Sequence, residues 1–175
     1  MFDVLFSSLF IIVFSWLYLL ISIIILLTNG MPLFYTSKRV CKNQKTFKCI
    51  KFRSMNQNKE IYKFGNFLRR SNLDEIPQFF NVFLGSMSVV GPRPHDFDED
   101  IFFNSKISKY KIRYSIKPGI TGLAGINGNR GGTDLDVIEE RVNFDVLYTK
   151  KQSFLYDLKI VLITIFLTLT GKKSI

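Results

Sequence analysis

The chain of 175 residues carries 24 Lys and Arg against 14 Asp and Glu, a formal charge of +10, and is 47% hydrophobic and 15% aromatic. That length suits one modest core, and the apolar content excludes a disordered chain. A single stretch is long and apolar enough for a bilayer, which excludes a multi-span transporter.

Residues 4–28 carry no charge and are dense in Leu, Ile, Val and Phe. As a helix they measure about 37 Å, against a hydrocarbon core of about 30 Å, so a retained membrane helix is expected. A cleaved secretory signal fits poorly, because no basic region precedes the run and no A-x-A-like site stands ahead of Asn29-Gly30. Ser15-Trp16 interrupts the run at its middle, and Trp favours membrane interfaces. Two arrangements satisfy these residues. One is a helix that crosses, with Lys38, Arg39 and Lys42 inside; the other is a bent, re-entrant hairpin with both ends in the cytoplasm. Residues 1–37 are the expected anchor and 38–175 the expected second domain.

The charge is concentrated. Residues 38–70 hold 11 Lys and Arg against Glu60 alone, whereas 71–175 are nearly balanced. Such a strip attracts anionic lipid headgroups by about 1 kcal/mol per Lys or Arg close to the surface, or serves only to set topology. Nucleic acid is not an expected partner beside a membrane anchor. Residues 38–55 read as a short hairpin with Asn43-Gln44 at the turn. Cys41 and Cys49 lie eight apart with no His nearby, which is no metal spacing, and are expected as free thiols.

Leu73, Ile76, Phe79, Phe80 and Phe83 recur at helical spacing and predict an amphipathic helix over 73–84, ended by Gly85. Gly91-Pro92-Arg93-Pro94 then punctuates the chain. Further helices are expected over 96–107, 134–148 and 153–169. Between the first two lies a loop, 118–132, holding six of the eleven glycines. The apolar run 160–169 is too short to span and suits an interfacial or core helix.

The chemistry-bearing segment is Asn72-Leu73-Asp74-Glu75-Ile76-Pro77. Two adjacent carboxylates open a helix, where free N–H groups favour negative charge. Taken alone it reads as a cap, Asn72 at the N-cap and Glu75 three residues on, although Pro77 suits a start nearer Asp74. A carboxylate so held is also a plausible nucleophile toward phosphorus, forming an acyl phosphate. That chemistry needs Mg²⁺ or fixed Arg and Lys to neutralise phosphoryl oxygens. Arg69 and Arg70 stand upstream and Arg93, stiffened between two prolines, downstream. The Gly-rich loop brings backbone N–H groups near a phosphate or is a plain tight turn; it is no Walker A or dinucleotide fingerprint. His95, Asp96, Asp98, Glu99 and Asp100 read either as a metal site or as acids solvated at a helix start.

The segments KFRSM (51–55), LRRSNLDEIPQFFNVFLGSMSVVGPRP (68–94), PGITGLAGINGN (118–129) and LYDLKIVLIT (155–164) occur in this order. Together they resemble the bacterial sugar transferase family, and within it the small monotopic phosphoglycosyl transferases. The resemblance covers nearly the whole chain. It implies an α+β, mostly helical fold: an N-terminal membrane-inserted, re-entrant helix, interfacial helices and a short β-hairpin in a small catalytic domain. It implies transfer of a sugar-1-phosphate from a UDP-sugar to undecaprenyl phosphate on the cytoplasmic face of the bacterial inner membrane, releasing UMP and initiating capsule, lipopolysaccharide or related glycans. By the same resemblance Asp74 is the nucleophile and Glu75 assists it. Asp74 binds Mg²⁺, Arg93 clamps phosphate, and Lys51, Arg53, Arg69, Gly122 and Arg130 are candidate substrate contacts. Ser15-Trp16 stands where the family has Ser-Pro, and the 118–132 loop departs from the usual ITGWAQVNGR at Leu123, Gly125 and Asn129. A membrane-bound metal-dependent phosphohydrolase and a non-catalytic basic membrane adaptor are the competing readings.

Overall fold

A computed structural model describes residues 2–129, 132 and 134–170. By backbone proximity the chain divides into two compact units, Met1–Ser37 with Lys48–Gly85, and Lys38–Phe47 with Ser86–Ile175.

The first unit begins with two apolar helices, α1 (Phe2–Val13) and α2 (Ser15–Asn29), bent by 60°. The break falls at Phe14, with φ −99° and ψ 14°, one residue ahead of the expected Ser15. There the Phe14 carbonyl accepts from both Leu17 N–H (2.9 Å) and Tyr18 N–H (3.2 Å), a local tightening that turns the axis without proline. Among the described residues no single helix is long and apolar enough to cross a membrane; this bent pair passes that test together. The bend allows both arms to meet the same partner. Phe10 of α1 stacks on Phe79 with ring centroids 3.7 Å apart, while the Tyr18 hydroxyl of α2 donates to the Ile76 carbonyl at 2.8 Å.

The hairpin is present, with β1 (Phe34–Val40) and β2 (Thr46–Phe52) as a two-stranded sheet. It starts four residues earlier than expected, and its turn is where expected: Asn43 and Gln44 both take positive φ, 59° and 58°, a conformation Asn tolerates through its short polar side chain. Helix α3 (Lys63–Arg70) follows. Gly65 is required there by space: a Cβ would lie 2.1 Å from the Ser54 carbonyl oxygen. The core of this unit is Ile21, Ile25, Phe52, Leu68 and Ile76.

The helix expected over 73–84 is two pieces, a 3₁₀ turn at Leu73–Glu75 and α4 (Gln78–Phe83). Pro77 is the reason. A continuous helix needs its N–H on the Leu73 carbonyl; lacking one, the chain gives that carbonyl to Ile76 N–H at 3.3 Å and restarts from Pro77. Asn72 stands at the N-cap of the 3₁₀ turn, but its side chain makes no capping hydrogen bond there. It sits in the left-handed region (φ 56°), closing α3 just after its Ser71 cap, a position Asn fills when Gly is absent.

In the second unit, β3 (Ser88–Val90) pairs in parallel with β4 (Gly119–Thr121), Ser88 opposite Gly119 and Val90 opposite Thr121. β4 lies inside the 118–132 segment expected as a loop, and nothing in the sequence assigns 88–90, because three residues carry no periodicity. Helix α5 (Phe97–Lys106) matches its expected range, with Asp96 and Glu99 forming a capping box. Next come a 3₁₀ segment, Tyr110–Ser115, and the short α6 (Leu123–Ile126). The last two helices, α7 (Leu135–Lys151) and α8 (Phe154–Thr170), also fall where expected. The Tyr148 hydroxyl donates to Asp157 Oδ1 at 2.7 Å and ties them together. Phe103, Ile107, Tyr110, Tyr114, Ile138 and Val142 form the core.

Candidate active site

Within the first unit, strand β2 and the 3₁₀ turn bring two of the expected residues together. Lys51 Nζ lies 2.7 Å from Glu75 Oε1, and both side chains are largely enclosed, 16% and 12% exposed. Asp74, the adjacent carboxylate, is buried. The turn that presents it is pinned from both sides, by Asn72 at the end of α3 and by Tyr18 on the Ile76 carbonyl. An ion pair shielded from water orients Glu75 more firmly than the same pair on an exposed surface.

Arg53 and Arg69 make hydrogen bonds within the first unit. Arg53 donates through Nη1 to the Met31 carbonyl (2.9 Å) and through Nη2 to those of Asn29 and Gly30. These carbonyls end α2, where partial negative charge accumulates, so the buried guanidinium closes the helix at its exit. Arg69 Nε donates to Ser54 Oγ at 2.8 Å. Both arginines thus bind the frame around the dyad.

Arg93 and Gly122 belong to the second unit. The Gly91–Pro94 segment is held along its length: Gly91 N–H donates to Thr121 (2.9 Å), and Pro92 accepts from Gly119 N–H (2.9 Å). The Arg93 carbonyl accepts from Arg113 Nη2 and that of Pro94 from Arg39 Nη1. With two prolines fixing φ, the Arg93 backbone has little freedom. Gly122 lies against the same segment; a Cβ there would stand 2.3 Å from the Gly91 carbonyl oxygen. Its φ of −171° is ordinary extended backbone, so space alone demands glycine. Arg130 falls outside the described residues.

Both ring nitrogens of His95, next to this segment, face protein partners. Its Nε2 is 3.1 Å from Arg141 Nη1, its Nδ1 2.5 Å from the Tyr110 hydroxyl and 3.2 Å from Arg113 Nη1. Tyr110 in turn donates to Asp100 Oδ1 (2.9 Å), and Tyr114 to Asp100 Oδ2 (2.5 Å). A proton on Nδ1 satisfies Tyr110 and Arg141 together. Burial, then Arg113, Arg141, Arg39 and Arg93, hold the imidazole pKa far below its ordinary value. Arg113 is balanced by Asp145 at 2.8 Å. Of the acids after His95, Asp96 and Glu99 cap α5 and Asp100 binds the tyrosines. Sequence reading missed this network, since Arg113, Arg141 and Asp145 are separated by up to 32 residues and only folding joins them.

Among the described residues no three His, Cys, Asp or Glu side chains gather into a metal cage. Mg²⁺ needs none, because it is held by one or two carboxylates together with substrate phosphates and water. A buried Asp74 beside a Glu75 already engaged by Lys51 fits that mode of binding.

A family model described as bacterial sugar transferase matches residues 1–171. The UDP-glucose:undecaprenyl-phosphate glucose-1-phosphate transferase of Klebsiella pneumoniae is 42% identical over 98% of this chain and 40% of its own length. The protein of the same name from Escherichia coli (strain K12) is 38% identical with the same coverage. The exopolysaccharide production protein PSS of Rhizobium leguminosarum bv. phaseoli is 33% identical over 99% of this chain and 96% of its own. The chain therefore spans about two fifths of the first two relatives and nearly all of the third. With the match extending through both units, this chain belongs to the bacterial sugar transferase family.

Proposed function

We propose that the chain transfers a sugar-1-phosphate from a UDP-sugar to undecaprenyl phosphate through an aspartyl-phosphosugar intermediate, at the cytoplasmic face of a bacterial inner membrane. The observation that carries the reading is the buried Asp74 beside a Glu75 fixed by Lys51 at 2.7 Å. In the first step an Asp74 carboxylate oxygen attacks the sugar-bearing β-phosphorus. The bond from that phosphorus to the bridging oxygen breaks, and UMP leaves with the bridging oxygen. In the second step an oxygen of the lipid phosphate attacks the same phosphorus and Asp74 departs as carboxylate, leaving a polyprenyl-diphospho-sugar. Glu75, oriented by Lys51, positions Asp74 and accepts protons at the site; Arg93 neutralises phosphate oxygens from its stiff backbone. Bound at Asp74, Mg²⁺ would supply charge neutralisation on the diphosphate.

The bent α1–α2 pair inserts as a re-entrant anchor in this reading, with the basic strip after it on anionic lipid. The test is a panel of UDP-sugars headed by UDP-glucose, the donor in the names of two relatives, with undecaprenyl phosphate in detergent. UMP should form and labelled sugar phosphate should enter the lipid fraction. Label remaining in water would indicate a phosphohydrolase, and no UMP from any donor an adaptor. Asp74→Asn should lower UMP release by about 1,000-fold or more, as loss of a nucleophile does; release at the wild-type rate removes Asp74 from the mechanism.

A further inference from the structure

Asn81 is buried on α4, six residues beyond Glu75, with no role in the chemistry above. Its Oδ1 accepts the Ile50 N–H at 3.0 Å and its Nδ2 donates to the Lys48 carbonyl at 2.8 Å. These two backbone groups are two residues apart and so share one edge of β2. A single amide therefore supplies the donor and acceptor pair that a further strand would bring to that edge. Lys51 follows Ile50 directly, and its ammonium meets Glu75. The strand and the dyad segment are thus fastened twice, by Asn81 at 48–50 and by Lys51 on Glu75.

We propose that Asn81 is a positioning residue for the Asp74–Glu75 dyad, setting the register of β2 against α4 so that Lys51 reaches Glu75. The inference rests on the transferase reading of that dyad. Register matters because a slip of one residue sends Lys51 to the opposite face of the strand. Only a side chain with donor and acceptor together holds both ends. Leu has neither, and an ionised Asp lacks the donor and repels the Lys48 carbonyl.

The experiment measures UMP release by the full chain in detergent for wild type, Asn81→Leu, Asn81→Asp, Lys51→Met and the Lys51→Met/Asn81→Leu double variant. Asn81→Leu should lower kcat by about 10- to 100-fold with KM for the UDP-sugar nearly unchanged, the size of effect a small misplacement produces. Asn81→Asp should match it at pH 8 and recover relative to wild type as pH falls, by up to about tenfold per unit, because the protonated carboxyl regains the donor. The double variant should be no slower than Lys51→Met. Backbone amides of 48–52 should exchange with solvent about tenfold faster in Asn81→Leu than in wild type.

Wild-type kcat in Asn81→Leu, an Asn81→Asp to wild-type ratio flat with pH, additive losses in the double variant, or unchanged exchange would each overturn the proposal. Should Asn81→Asp not fold, the double variant and the exchange measurement decide. Should the wild type release no UMP from any donor, the transferase reading fails, and exchange, which needs no turnover, still decides whether Asn81 holds the strand.

Discussion

At the residue scale, two side chains illustrate how a charge is used inside the frame. His95 is a neutral acceptor among guanidinium groups, and protonation would place a fifth cation among Arg39, Arg93, Arg113 and Arg141. The sign follows from linkage: with the folded pKa depressed, the unfolded chain binds the extra proton below about pH 6.5, so stability falls with acid from there downward. The slope contributed by this group should approach ~1.4 kcal/mol per pH unit, and His95→Gln should remove it, as read by denaturant unfolding across pH 7 to 4.5. Arg53 makes the second case. Arg53→Met removes the donor from the half-buried carbonyls of Asn29 and Gly30 and from that of the exposed Met31, and should cost about 0.5–1.5 kcal/mol while leaving KM for the UDP-sugar unchanged. A raised KM at full stability would return Arg53 to the substrate. The adjacent carboxylates and the X-Pro-Arg-Pro run stood out in the sequence as candidate chemistry. The partners of Arg53 did not, because main-chain carbonyls carry no residue identity.

At the element scale, the long helices α5, α7 and α8 were legible because acidic starts and apolar periodicity act within one element. The hairpin turn was legible too, from Asn43, a residue suited to positive φ. The break at Pro77 was visible as a single residue but misjudged against five well-spaced apolar ones: periodicity counts side chains, whereas the helix needed a backbone N–H. Strands β3 and β4 were hidden because their pairing depends on close approach of Gly91, Gly119 and Gly122, a property of space. Gly122→Ala brings a methyl within 2.3 Å of the Gly91 carbonyl oxygen and should destabilise by about 1–3 kcal/mol in denaturant unfolding. Unchanged stability would mean that this backbone can part at no cost.

At the scale of the whole molecule, the first unit is drawn from both sides of the hairpin, with residues 38–47 grouped elsewhere. The apolar N-terminus was legible as helix, but its contribution to the dyad through Tyr18 was not, since a tyrosine within such a run looks like any other large side chain. With a re-entrant anchor, a tag before residue 2 should resist impermeant labels applied outside intact cells and react after permeabilisation; reaction in intact cells means a crossing helix.

The composition of that first unit also bears on the order of synthesis. Helices α1 and α2 are made before the rest of the first unit, and Tyr18 waits for Ile76, 58 residues later. Closing a loop of that length costs about 3–4 kcal/mol of chain entropy beyond a constant. The hairpin shortens it: once β1 and β2 pair, Arg53 N–H is on the Leu33 carbonyl at 2.9 Å, and the intervening residues no longer count toward the loop. When Gly85 has been added, every residue of the first unit exists, and the surroundings of Asp74 can assemble while 86–175 are still being made.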